Sequence, residues 1–243
     1  MSGPGYRARL GFLLPPGNPT IEPELMALVP PGVSLHFHRM AARGVTGSLD
    51  GQEARNRMMI DSLDDGVELL AMVKPDVIVV AHTATSYTLG VEGEAALLAR
   101  LSAASNRRIV TAFGSVAAAL RRLGVERVAL GAPYSAATTA QGKAHLEAHG
   151  FRVVSHDNLK GVTNIYDETA ERAYALARLV DRPEAQAVFL SGTGMPTLPV
   201  LEMLEADLGK PVISSNLAMM WHALRTVGVG ARVLGYGRLL ALH

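Results

Sequence analysis

The chain has 243 residues, 49% of them hydrophobic and 19% charged, which is globular composition with enough length for one large domain or two small ones. Its 23 basic and 22 acidic residues leave a formal net charge of +1, so no long-range field favours nucleic acid or an anionic membrane surface, and anion recognition has to be local. With no cysteine, disulfides, thiolate metal sites and thiol nucleophiles are all excluded.

Along the chain, short β-branched runs alternate with amphipathic segments, the pattern of a parallel sheet with crossover helices. A strand over Arg9 to Leu14 ends at Pro15-Pro16-Gly17, followed by a helix near Ile21 to Val29 and a strand over Val33 to Met40. The longest helix is expected between Asp50 and Val73, with Met58, Leu63, Val67 and Leu70 on one face that offers a surface for a second copy of the chain. Asp76 to Ala81 reads as a strand buried on both faces, followed by a helix over Leu97 to Ser105 and a strand over Arg108 to Thr111. The second half restarts with helices over Ser115 to Leu123 and Ser135 to His149 flanking a strand at Arg127 to Gly131. A strand over Phe151 to His156, a helix over Asp167 to Val180 and a strand over Ala187 to Leu190 follow. The chain closes with helices at Leu198 to Leu208 and Asn216 to Val227 around a strand at Pro211 to Ser214.

Two apolar strands end in small hydroxyl and glycine residues, at His82-Thr83-Ala84-Thr85-Ser86 and at Ser191-Gly192-Thr193-Gly194. Ligands of open parallel sheets bind beyond the carboxyl ends of strands, so these tips mark the expected site. Hydroxyls and backbone N–H groups there suit a small anion, or form a turn whose hydroxyls are satisfied locally. The glycine segment lacks the Gly-Lys-Ser/Thr of a P-loop and the spacing of a dinucleotide fingerprint. In the loop before the first helix, Asn18 or Thr20 caps that helix, or Asn18 offers its amide to a carboxylate beside the helix N-terminus. Tyr134, at another strand end, is a hydrogen-bond or proton donor, or a half-buried structural tyrosine. His82 is a catalytic candidate or a satisfied core residue. His36 and His38 share a strand face without a third ligand, no Gly-x-Ser-x-Gly elbow is present, and neither metal nor organic cofactor is expected.

Several stretches, in order, resemble the aspartate/glutamate racemase superfamily, in its maleate cis-trans isomerase and arylmalonate decarboxylase branch. They are Gly11 to Glu22, Ala84-Thr85-Ser86, Ala132-Pro133-Tyr134, Gly161 to Asn164, Leu190 to Thr193, Ser214 to Trp221 and Gly235 to Leu240. The resemblance implies an α/β fold of two pseudo-symmetric halves, each a mainly parallel sheet flanked by helices, with the site in the cleft between them. The halves are expected to be 1–112 plus about 228–243, and 113–227, the C-terminal segment returning to the first. It further implies that Asn18 and Asn164 hold a substrate carboxylate while Thr85, Ser86, Thr193 and Tyr134 surround it. The family's two catalytic cysteines correspond to Ala84 and Gly192, so a two-thiol racemase and a covalent succinyl-cysteine isomerase are both ruled out. The function expected is a cofactor-independent enzyme acting on a small carboxylic or dicarboxylic acid through a stabilised enolate. Decarboxylation is favoured over a cysteine-independent isomerase or hydrolase, or a carboxylate-binding protein without catalysis. Tyr134, His82 or water then supplies the proton. A signal peptide and a membrane span are not expected, which points to the cytoplasm.

Overall fold

A computed structural model of the chain describes residues 3–242. The first half contains β1 (Ala8–Leu14), α1 (Ile21–Leu28), β2 (Val33–Arg39), α2 (Gln52–Asp61), α3 (Leu63–Ala71), β3 (Val77–Val80), α4 (Thr83–Ser105) and β4 (Arg108–Thr111). After α5 (Ala112–Arg122), the second half contains β5 (Arg127–Ala132), α6 (Ala136–Ala148), β6 (Arg152–Asn158), α7 (Ala170–Val180), β7 (Ala187–Leu190), α8 (Leu198–Leu208) and β8 (Val212–Ser214). Two helices, α9 (Ser215–Thr226) and α10 (Arg238–Leu242), finish it.

Both sheets are four-stranded and parallel, in the orders β2-β1-β3-β4 and β6-β5-β7-β8. The two orders are the same pattern displaced by four strands, so the expected pseudo-symmetry is present. It extends to single residues. Gly11 on β1 and Gly131 on β5 each face a leucine: a Cβ on Gly11 would lie 2.9 Å from Leu70, and one on Gly131 would lie 2.8 Å from Leu176. A bare backbone on the second strand of each sheet thus lets a helix pack close.

Alternation along the strands divides the core. Leu10, Phe12, Leu14, Val77, Val79 and Ala81 join the large core that continues through the second half. Leu13, Ile78 and Val80 point the other way, to a smaller cluster with Leu63, Val67 and Leu70. The closing helices tie the halves together: α5 packs along α9, α9 also lies against β3 and α1, and α5 touches β8. Nine of the twelve residues of α9 are buried, Leu217 through Trp221 among them. The C-terminal segment meets both halves. Its α10 packs on α9, the Arg238 N–H donates to Glu205 of α8, and Tyr236 shares a surface hollow with Pro23 and Ala27 of α1.

Several expected elements take different forms. The long helix over Asp50 to Val73 is two helices broken at Ser62, whose hydroxyl donates to the Met59 carbonyl and accepts from the Ala41 N–H. That break turns α2, so Met59 rather than Met58 is buried, and Met58 is exposed with Leu69 and Met72. The longest helix is instead α4, which begins fourteen residues earlier than expected and is kinked at Gly90. The hydroxyl-rich segment after β3 is therefore the first turn of a helix, not a loop. Low helix propensity at Thr83 and Thr85 is overridden because both hydroxyls find partners in the buried interface. The helix expected from Ser115 likewise begins earlier, at Ala112, and is capped by Thr111. No helix of the described residues is long and apolar enough to cross a membrane.

Candidate active site

The tips of β1, β3, β5 and β7 converge on an enclosed cavity of about 10 Å³, lined by Pro15, His82, Pro133, Tyr134, Ile165, Tyr166 and the 192–194 backbone. Larger hollows lie beside Arg127 and Arg152 and between α3 and α4, away from any convergence of hydroxyl groups.

Of the expected site residues, His82, Tyr134, Gly192 and Thr193 meet on its wall. Tyr134 is 3% exposed and lies on the cavity wall. Burial, reinforced by Tyr87 and Tyr166, holds its pKa well above 10, so the phenol keeps its proton. Thr83 donates to Ser215 Oγ at 3.0 Å, and Ser215 Oγ accepts the Gly192 N–H at 3.2 Å. A buried hydroxyl pair therefore links Thr83, at the head of α4, to the backbone of the opposite strand tip. Gly192 has φ +100°, and a Cβ there would stand 3.1 Å from the Tyr134 hydroxyl, so both conformation and space require glycine.

Asn18 and Thr85 reach the cavity wall through a neighbour. Of the two readings the sequence left open for Asn18, the structure shows the capping one. The Asn18 Oδ1 caps α1 by accepting from the N–H groups of Thr20 and Ile21, while its Nδ2 donates to Thr193 Oγ1 at 3.0 Å. Its amide is thus spent on the loop that frames the cavity. Thr85 Oγ1 lies 3.0 Å from His82 Nδ1.

Ser86 and Asn164 are turned elsewhere. Ser86 donates its one hydroxyl proton to Glu94 Oε1 at 2.7 Å. Glu94 also accepts from Thr111 and meets His145 Nε2 at 3.0 Å. Burial alone would raise the Glu94 pKa, but the bonds from His145, Thr111 and Ser86 outweigh it and keep the carboxylate ionised. A hydroxyl committed to a carboxylate has no proton left for a substrate oxyanion. The ligating atoms of Glu94, His145 and His149 lie within 4.8 Å of one another, but each ring and the carboxylate already has a protein partner, which makes the group a clamp between α4 and α6. Asn164 accepts from the Tyr166 N–H and donates to the Thr46 carbonyl at 3.3 Å, fastening its loop to residues 46–48. Its neighbours Ile165 and Tyr166 line the cavity in its place. Ala84, fully buried, occupies the first turn of α4.

Reading the sequence missed Tyr166 and the buried carboxylate Glu24. Glu24 reaches from α1 into the second half, accepting from the N–H groups of Thr197 and Leu198 at the head of α8 and from Asn216 Nδ2 at 2.7 Å. Asn216 then holds the Thr193 carbonyl. Tyr166 lies two residues beyond a stretch already quoted as a match, whereas a glutamate in an amphipathic helix carries no sequence signal of such a role.

The helices that follow directly on strand tips differ in one respect. Thr111 and Ser214 cap α5 and α9 with their hydroxyls, but His82 gives α4 no side-chain cap. The first N–H groups of α4, which follow His82 of the cavity wall, therefore have no side-chain cap of their own, and an uncapped helix head favours a bound anion.

The family model described as arylmalonate decarboxylase matches residues 10–240. The chain belongs to that family. It is 30% identical over 242 residues to maleate isomerase from Nocardia farcinica, covering 96% of this chain and 95% of that one. It is also 30% identical over 187 residues to arylmalonate decarboxylase from Bordetella bronchiseptica, covering 74% and 78%. Among solved structures, a cysteine-to-serine mutant of the Nocardia farcinica maleate cis-trans isomerase, with a covalently bound succinylcysteine intermediate, superposes with a TM-score of 0.88. That match is 27% identical and covers 97% of this chain and 99% of the other. The two-sheet α/β architecture is that of the family.

Proposed function

We propose that this family member is a cofactor-independent enzyme that acts on a small carboxylic or dicarboxylic acid through an enolate, as a decarboxylase rather than an isomerase. One observation carries the reading. The protonated phenol of Tyr134 and the uncapped head of α4, through His82, adjoin one small cavity in a chain without sulfur nucleophiles.

A substrate carboxylate in the cavity would lie beside Tyr134 and His82, next to the head of α4. When a second carboxylate departs as carbon dioxide, its C–C bonding pair moves onto the retained carboxylate, forming an enediolate. Fixed donors aimed at those oxygens lower the barrier because they strengthen as charge arrives. The α-carbon then takes a proton from Tyr134 or from water. The Nocardia enzyme's succinylcysteine requires a thiol, and Ala84 and Gly192 stand where the resemblance puts the family's cysteines. Decarboxylation needs oxyanion donors more than a thiol, which favours it here.

A thermal-shift screen with malonate, maleate and arylmalonates reveals ligands by the rise in apparent stability. Carbon dioxide release is then followed for each hit. Tyr134→Phe is expected to lower turnover at least tenfold with a smaller change in KM. Ligands that bind but neither release carbon dioxide nor isomerise would overturn the enzymatic reading in favour of carboxylate binding alone, to which the missing thiols also lend weight.

A further inference from the structure

His82 lines the cavity and is only 7% exposed. Its Nδ1 is engaged with Thr85 Oγ1, while no hydrogen bond among the described residues takes its Nε2. A cavity-wall imidazole with one ring nitrogen left unbonded by the protein is open to a ligand.

We propose that His82 is a catalytic hydrogen-bond donor in its neutral form, with Thr85 donating to Nδ1 and the ring proton on Nε2 presented to the bound carboxylate. This rests on the reading of the cavity as a carboxylate site and assigns Thr85 a positioning role within it. Between them, a neutral histidine and a threonine hydroxyl hold two exchangeable protons. One is consumed in the bond that joins them, and one remains. Thr85 does not line the cavity, whereas His82 does, so the remaining proton is useful to a ligand only on Nε2. The opposite tautomer would turn a lone pair toward an anion. Tyr134 and Tyr166 are the other titratable groups on the wall, which carries no carboxylate or cationic side chain, so the ring has no counter-charge to ionise it. Burial draws its pKa down to about 4, and its place at the positive end of α4 acts in the same direction. The ring is therefore neutral at pH 7. It offers a proton without neutralising the substrate, and the bond tightens as charge develops on the facing oxygen.

The test combines nitrogen NMR of the labelled full-length chain with ligand binding. At pH 7, the His82 ring is expected to show a protonated Nε2 and an unprotonated Nδ1, and Thr85→Val should redistribute that proton. With the tightest of malonate, maleate and phenylmalonate as probe, His82→Phe should weaken binding about tenfold or more, the size of one hydrogen bond to a charged group. His82→Gln, which restores an N–H donor, should regain part of that loss. A protonated Nδ1 with a bare Nε2, a charged ring at pH 7, or unchanged binding by His82→Phe would each overturn the proposal. If the wild-type chain binds none of the three acids, the carboxylate reading fails instead, together with the role assigned to His82. Binding that survives His82→Phe leaves that reading intact and removes His82 alone.

Discussion

The tips of β3 and β7 hold equivalent places in the two sheets, yet the chain leaves them differently. After β3 it enters α4 at once, with an uncapped first turn that presents N–H groups. After β7 it runs through Ser191-Gly192-Thr193-Gly194, and α8 begins seven residues beyond the strand, its head capped from the other half by Glu24. One tip offers donors and the other is a braced frame. In the frame, Asn18 grips the Thr193 hydroxyl, Asn216 its carbonyl, and Thr20 the Gly194 carbonyl. The lesson is that symmetric strand ends can diverge, one left uncapped while its counterpart is braced by side chains from both halves.

Breaking the frame should have the largest effect. Glu24→Ala leaves two backbone N–H groups and the Asn216 amide without their acceptor inside the protein, and it is expected to cost about 3 kcal/mol in urea denaturation. A loss under about 1 kcal/mol would mean that the frame does not depend on it.

The donor tip has a pH signature instead. The folded-state pKa of His82 lies near 4, below its ordinary 6.5, so as pH falls the unfolded chain takes the proton first. Its contribution to stability is complete above pH 6.5 and drains away between 6.5 and 4, by about 3 kcal/mol at most. Across that window wild type should lose stability relative to His82→Leu, a difference that cancels the titration of other groups. Parallel curves for the two proteins would contradict the buried neutral ring.

Gly192→Ala tests how tightly the two tips are matched. A left-handed φ and a 3.1 Å approach to Tyr134 predict about 1–2 kcal/mol of destabilisation, with ligand affinity falling alongside. The smallest effect belongs outside both tips. Arg100→Ala removes a half-exposed ion pair with Asp64 and should change stability by no more than about 0.5 kcal/mol.

Most of the fold was legible because buried parallel strands are continuous apolar runs, and all eight appear where those runs lie. Helix limits were harder. Nothing local announces that Ser62 breaks a helix, because the partner of its hydroxyl is the distant Ala41 N–H. Thr83 to Ser86 look like a turn by propensity and become helical only when Ser215 and Glu94 receive their hydroxyls. The same long-range bonds explain the site. Residue type suggested Ser86, and the family resemblance Asn164, as ligand donors, but a hydroxyl has one proton and an amide two, and their partners, Glu94 and Thr46, lie on separate elements. The convergence of His82, Tyr134, Gly192 and Thr193 was readable because all four follow strand ends.

The exchange of closing helices has a consequence for how such a chain can be cut or inherited. With α9 seated on β3 and α1, and α5 touching β8, neither sheet owns the cover of its inner face. A fragment ending after β4 would present Phe12, Val77 and Val79 to water, so separately expressed pieces should assemble only by folding together. A single-sheet ancestor of this architecture would have been obliged to trade its terminal helix with a twin, as in a domain-swapped pair, before fusion made the arrangement permanent.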